Sequence, residues 1–220
     1  NHTNLSDGKN TLEEMVLAAQ KLGYEYIGIS DHSQSAFYAG GVKPAQIKEQ
    51  AREIKALQKK VSIRIFHGVE SDILSDGALD YDDEILDGFD FVVGSIHSRF
   101  KMEEDEMTAR LVRAIKNPRI SMWGHPTGRL LLARDAYKLD WKKCLDALEK
   151  SGTAIEINSN PQRLDVDWRM GDEIEKRGIA VCINPDAHSV EGLQDTIFGE
   201  HVAEKSILKT DQIINLMGVN

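Results

Sequence analysis

Six short apolar runs, separated by amphipathic stretches of helical period, set what this chain can become. The runs are YIGIS (26–30), VSIRIFHGVE (61–70), FDFVVGSIH (89–97), RISMWGH (119–125), GTAIEINS (152–159) and GIAVCINPDAH (178–188). Between them lie TLEEMVLAAQKLG, KPAQIKEQAREIKALQKK, EDEMTARLVRAIKN, DWKKCLDALEKSG and DWRMGDEIEKRG. The first of these opens at Thr11, places Glu14 three residues on in a capping box, and closes at Gly23. Strand alternating with helix builds βαβ units, hence a parallel α/β sheet with right-handed crossovers. No linker, repeat or low-complexity tract interrupts the pattern, so one domain over 1–220 is expected. A further strand ending at residues 1–2 would bring the count to seven β/α units, one short of a TIM-type barrel. An open doubly wound sheet would gather its ligands at a single crevice. Here polar residues follow nearly every strand, which favours the barrel.

Composition limits the functions open to such a fold. The formal charge is −9, with 36 acidic and 27 basic residues. That balance argues against non-specific nucleic-acid binding by charge alone. Bound cations change the argument: three divalent ions would bring the formal charge of −9 to about −3. No apolar run approaches the roughly 20 residues needed to span a bilayer, and no leader sequence is visible. Cys144 and Cys182 are too few for a disulfide framework and fit a reducing cytoplasm. The chain opens on NHTNLSDG without an initiating methionine, as expected of a domain from a longer protein.

In barrels, chemistry gathers at the C-terminal ends of the strands. The residues at those ends are His2 and Asp7, Asp31 and His32, Glu70, His97, His125, and Asp186 with His188. Five of seven histidines therefore fall where a barrel mouth would be, interleaved with acids. Packing does not account for so many imidazoles and carboxylates in one place, because burying them unpaired is costly. Coordination does. Imidazole with carboxylate suits Zn, Mn or Fe, and the histidines exclude the all-oxygen set of Mg or Ca. At least eight candidates, at roughly four to six ligands per ion, imply two or three ions. Such sites activate water and clamp displacement at phosphorus. No GxSxG elbow or P-loop is present, and AGG at 39–41 reads as a loop.

The series HT…SDG, DHS, GxE, GSIH, GHP and DAHS, in this order from residue 2 to 189, resembles the PHP (polymerase and histidinol phosphatase) domain family. GHPTGRLL (124–131) and EINSNPQRLD (156–165) are similar to the C-terminal PHP domain of bacterial and archaeal family X DNA polymerases. The resemblance implies a distorted (βα)7 barrel with a trinuclear metal centre. His2, Glu70 and Asp186 would serve a first ion, and Glu70 would bridge to a second held by His97 and His125. Asp7, His32 and His188 would hold a third. A metal-bridging hydroxide would attack the phosphodiester, with Glu70, His97 and Asp186 at the reacting centre. The activity implied is a Mn-dependent 3′–5′ exonuclease on DNA 3′ ends, joined to an upstream polymerase domain. The family's opening HxH would place its first histidine immediately before Asn1.

Rival readings keep the same fold. One is a small-molecule phosphatase of the histidinol-phosphate type. Another is an amidohydrolase, for which no strand end supplies the bridging lysine. A third is an accessory domain that uses its metals for structure alone. Among single residues, Arg99, Arg129 and Arg163 follow strand ends and are candidate phosphate clamps. Asp31 is expected to orient a ligand imidazole. His67 is expected to pack near the site without ligating, and His201 to lie on the surface. Asn158 and Asn160 would either bond a phosphate or cap a turn. Tyr38 would stack on a terminal base. The basic stretch at 43–60 reads as the solvated face of a barrel helix.

Overall fold

Each apolar run becomes a strand, and each amphipathic stretch packs outside it. The computed structural model describes residues 1–218. In chain order it runs α1 (Leu12–Lys21), β1 (Tyr26–Ile29), α2 (Pro44–Leu57), β2 (Arg64–Asp72), α3 (Asp83–Leu86), β3 (Phe91–Ser95), α4 (Glu104–Ile115), β4 (Met122–Trp123), α5 (Trp141–Ser151), β5 (Ala154–Asn158), α6 (Gly171–Lys176), β6 (Val181–Asn184) and α7 (Thr196–Lys205). The capping box forms as the sequence implies: the Glu14 amide donates to Thr11 Oγ1 at 3.2 Å, and the Thr11 amide to Glu14 Oε2 at 2.8 Å. The helix α2 shows its charged residues to solvent, with Gln50, Ile54 and Leu57 turned inward.

The strands form one parallel sheet in the order β1-β2-β3-β4-β5-β6. It curls into an incomplete barrel, the distorted TIM-type architecture expected of the sequence. The seventh strand is the difference. Among the described residues the sheet has six strands, and Asn1 and His2 occupy the place between the ends of β1 and β6. There the Ser30 amide donates to Asn1 O at 2.8 Å, Asn1 Nδ2 donates to Gly28 O at 3.0 Å, and the His2 amide donates to Ala187 O at 2.9 Å. Below them a cavity of about 880 Å³ lies between β1 and β6. The segment after α7 covers part of the β6 edge, with the Ile183 amide donating to Asn215 Oδ1 at 2.6 Å and Asn215 Nδ2 to Ile183 O at 2.9 Å.

Two apolar clusters hold the helices against the sheet. The larger joins α4 and α5 to β3, β4 and β5 around the fully buried Trp123, and the smaller packs α1 and α2 on β1. At about 25 cal/mol per Å² of apolar surface, this burial is the main stabilising contribution. It matters most at β4, which is only two residues long. Trp123 anchors it against Trp141 at a ring separation of 5.8 Å. Gly124 then passes so close to β3 that a Cβ there would lie 2.4 Å from Ser95 Oγ. That approach brings His125 to the barrel mouth.

Candidate metal centre

The eight expected ligands gather around one of them, the Glu70 carboxylate, which four of the others approach directly. Glu70, near the end of β2, is buried, and four imidazoles surround it. His2 Nε2 and His32 Nδ1 lie 3.2 and 3.4 Å from its Oε2. His125 Nε2 and His97 Nε2 lie 2.9 and 3.4 Å from its Oε1. Strand geometry places them: His97 and His125 each stand two residues beyond a strand, and Asp186 two beyond β6. His125 and Asp186 adopt positive φ, 24° and 51°, a conformation non-glycine residues rarely take and one that collects at functional sites.

On the far side of Glu70, His2 Nε2 also meets Asp186 Oδ1 at 3.1 Å. Asp7 Oδ1 lies 3.6 Å from His32 Nε2 and 3.3 Å from His188 Nε2. The chain thus offers three overlapping sets of donors: His2, Asp7, His32 and His188; His32, Glu70 and His97; and His2, Glu70 and Asp186. His125 joins the second set, with its Nε2 3.2 Å from that of His97. His2 and His32 each face two sets through their two ring nitrogens, which simple strand counting had not shown.

These donors fit metal ions. Ligands bound at about 2.0–2.2 Å in a tetrahedral shell lie roughly 3.2–3.6 Å from one another, close to the 2.9–3.6 Å separations seen here. The Nε2 atoms of His97 and His125 face each other at 3.2 Å, a contact that repels unless a proton or a cation lies between them. Buried Nδ1 atoms of His2, His32 and His125 have no hydrogen-bond partner. Electrostatics points the same way. Burial opposes ionisation of Glu70, yet the charges of His32 and His97 hold it well below the usual carboxylate range. Burial also opposes protonation of His2 and His97, but their carboxylate neighbours push them up to about 10 and about 9. Burial and the nearby His2 charge bring His32 down to about 4. The pocket draws in positive charge, which divalent cations would supply in place of protons.

Further residues hold the donors in place. Asp72 Oδ1 bonds His97 Nδ1 at 2.7 Å and its Oδ2 accepts from Ser35 Oγ at 2.8 Å. Glu156, buried in β5, accepts the His125 amide at 2.6 Å and Asn184 Nδ2 at 2.8 Å. Burial and the neighbouring Asp186 raise its pKa to about 7. Both were overlooked in the sequence, although both had a signal. Asp72 is two residues from Glu70, so it shares that face of the strand. Glu156 is a lone charge within an otherwise uncharged strand, AIEIN.

Other expectations need correction. Asp31 touches no imidazole. Its carboxylate accepts from the Thr3 amide, Thr3 Oγ1, Ser6 Oγ and Gln50 Nε2 at 2.6–2.8 Å, and so clamps the turn that carries His2 and Asp7. Arg129 is not a free phosphate clamp either. Its guanidinium donates to the carbonyls of Arg163 and Leu164 and to Asp167, which ties down the 163–167 loop. Arg163 does face the site: its Nε lies 3.4 Å from Asp186 Oδ2, and its buried Nη1 has no partner. Arg99 is exposed, and its side chain has no hydrogen bond or ion pair among the described residues. Asn158 bonds Glu156 and Asp186 at 3.2 and 3.1 Å, and Asn160 caps the following turn. His67 packs beside the site against Gln50 as expected, and His201 is exposed. Burial pushes both cysteine thiols up to about 12. No helix among the described residues is long and apolar enough to cross a membrane.

Known proteins resemble this chain in sequence and fold. The family model described as PHP domain matches residues 1–160. The chain belongs to the PHP domain family. A DNA polymerase/3′-5′ exonuclease PolX of Bacillus subtilis (strain 168) is 40% identical over 97% of this chain, which spans 38% of that longer protein. A probable phosphatase of Caldanaerobacter subterraneus subsp. tengcongensis is 28% identical over 81% of this chain and 70% of its own length. The same fold occurs in histidinol phosphate phosphatase from Lactococcus lactis, crystallised with zinc, L-histidinol and phosphate. The TM-score is 0.67 over 94% of this chain and 92% of that one, at 17% identity.

Proposed function

We propose that this PHP domain is a metal-dependent phosphoesterase that removes nucleotides from DNA 3′ ends, as the nuclease part of a longer polymerase chain. The observation that carries the phosphoesterase reading is Glu70 shared among four imidazoles, with Asp7, Asp186 and His188 completing the donor sets. Two or three Zn, Mn or Fe ions bound there would supply an activated water and neutralise charge developing at phosphorus. The chain's own residues do the rest. Glu70, His97 and Asp186 fix the reacting centre, and Asp72 keeps the His97 ring in one orientation. Arg163 Nη1, buried and unpartnered, is free to donate to a phosphate oxygen beside Asp186. The preference for DNA is supported by the 40% identity to a protein named as a polymerase and 3′-5′ exonuclease.

A small-molecule reading has an observation of its own. A polar cleft of about 500 Å³ opens beside Asp186, His188 and Arg163. The experiment that separates the two supplies Mn²⁺ and either 5′-labelled single-stranded DNA or histidinol phosphate, with His97→Ala as control. The expected result is a ladder shortening from the 3′ end that the variant abolishes. Phosphate released from histidinol phosphate, with the DNA left intact, would replace the nuclease reading by the phosphatase one. Inactivity on both with metals bound would leave a structural role.

A further inference from the structure

The loop between β1 and α2 carries two adjacent aromatic side chains that the fold does not use. Phe37 is 88% and Tyr38 68% exposed. Single exposed hydrophobes are ordinary on any protein surface. This pair differs in where Tyr38 stands and how the loop is held. The Tyr38 ring lies edge-on to two site histidines, with centroids 6.2 Å from His32 and 6.1 Å from His97. It therefore borders the metal donors directly.

The loop beneath is stiff. Ala36 and Ala39, on either side of the aromatic pair, are buried. The Ala39 and Gly41 amides donate to Ala36 O at 2.9 and 3.1 Å, and the Val42 amide to His32 O at 2.8 Å. Gly41 packs so tightly on Ser33 that a Cβ would sit 2.1 Å from its carbonyl oxygen. Asp80 accepts the Ser35 amide at 2.7 Å and fastens the loop to the segment after β2. A loop so closed on itself presents its aromatic faces in advance, with little ordering left to lose on binding. Arg99, two residues after His97, is exposed, and Arg163, its Nε 3.4 Å from Asp186 Oδ2, keeps a buried Nη1 without a partner. Exposed aromatic rings beside a cluster of metal donors, with an arginine N–H left without a partner next to Asp186, match a nucleotide.

We propose that Phe37 and Tyr38 form a stacking subsite for the terminal base of single-stranded nucleic acid whose phosphodiester lies at the Glu70 cluster. This inference rests on the nuclease reading above. Stacking on an aromatic side chain accepts any base, so the subsite sets preference for a base over its absence and not for sequence.

The test compares two oligodeoxynucleotides that differ only at the 3′ end, one with a normal terminal nucleotide and one with an abasic tetrahydrofuran residue. The wild-type protein should favour the base-bearing end by roughly five- to a hundredfold in kcat/KM. In Tyr38→Ala, and in the Phe37→Ala, Tyr38→Ala double variant, that ratio should fall towards one. A phosphorothioate oligonucleotide with 3′-terminal 2-aminopurine gives a readout independent of turnover. Its fluorescence should be quenched on binding the wild type and not the double variant, with circular dichroism confirming that both are folded. Equal losses on both substrates in the variants, or unchanged quenching, overturn the subsite while leaving the nuclease reading intact. A wild type that cleaves neither oligonucleotide overturns the nuclease reading and the subsite with it.

Discussion

On one side of Glu70, His97 and His125 follow β3 and β4, two paired strands; on the other, Asp7 and His188 stand on loops. The strand-held pair is fixed twice over, His97 by Asp72 and His125 by the buried Glu156. Side-chain exposure there is 9% and 3%. Asp7 and His188 are 32% and 36% exposed, and Asp7 belongs to a turn whose anchor is Asp31. The contrast separates two ways of building a metal site. Strand pairing supplies position and low dielectric; a loop supplies access, at the cost of relying on hydrogen bonds from a carboxylate behind it. An ion on the loop side should exchange with solvent more readily than one between Glu70, His97 and His125.

Glu70 faces His97 and His125 with Oε1 and, with Oε2, the His2 and His32 rings that the loop-side set also uses, so its loss should reach both sides. Glu70→Ala is expected to lower phosphoesterase kcat by about a thousandfold or more, and to empty both halves as read by metal analysis. Retention of metal on either side would show that the halves are independent. Asp7→Ala is expected to act on one half only. It should remove about one ion per chain after gel filtration, and leave the His97/His125 ion in place. Spectra of the cobalt-substituted protein can follow the two populations separately. Equal loss from both halves would mean that the loop and strand sides form one cooperative unit. Asp72→Asn tests the strand side by a smaller step. Removing the charge that orients His97 should weaken that ion by roughly 10- to 100-fold in competition with a chelator, with the circular dichroism spectrum unchanged.

The same division shows in what the sequence made legible. The gathering of these side chains was readable, because apolar runs locate the strands and the fold puts chemistry at their C-terminal ends. His97, His125 and Asp186 needed nothing more. The supports were harder to see. Asp72 lies beyond the apparent end of its strand, and Glu156 sits within a run whose apolar character drew the eye. Arg129 had the pattern of a phosphate clamp, but a side chain's partners depend on how two loops meet, here 128–134 and 160–167, and periodicity does not report that. Asp31 illustrates the same limit. Next to a ligand in sequence, it alternates to the other face of the chain and holds the turn of residues 3–6 from behind.

That support reaches further, through Gln50 to His67, and it offers the smallest test of the comparison. Gln50 Nε2 donates to Asp31 at 2.6 Å, and its Oε1 faces His67 Nε2 at 3.1 Å, so the neutral imidazole donates there. Burial lowers the His67 pKa, although the charge of Asp90 works against it. The unfolded chain would therefore bind a proton near pH 6.5 that the folded protein still refuses. This part of the stability is complete above about pH 6.5 and declines as pH falls from there to the lower folded value. His67→Phe removes the titration and leaves Gln50 Oε1 without its donor. It should cost about 1 kcal/mol at pH 8 by urea denaturation, and flatten the stability profile below about pH 6.5 relative to the wild type. Since the chain His67–Gln50–Asp31 ends at the loop that carries Asp7, any change in metal retention should fall on the loop-side ion. A loss confined to the His97/His125 ion would show that the clamp does not serve the side it touches.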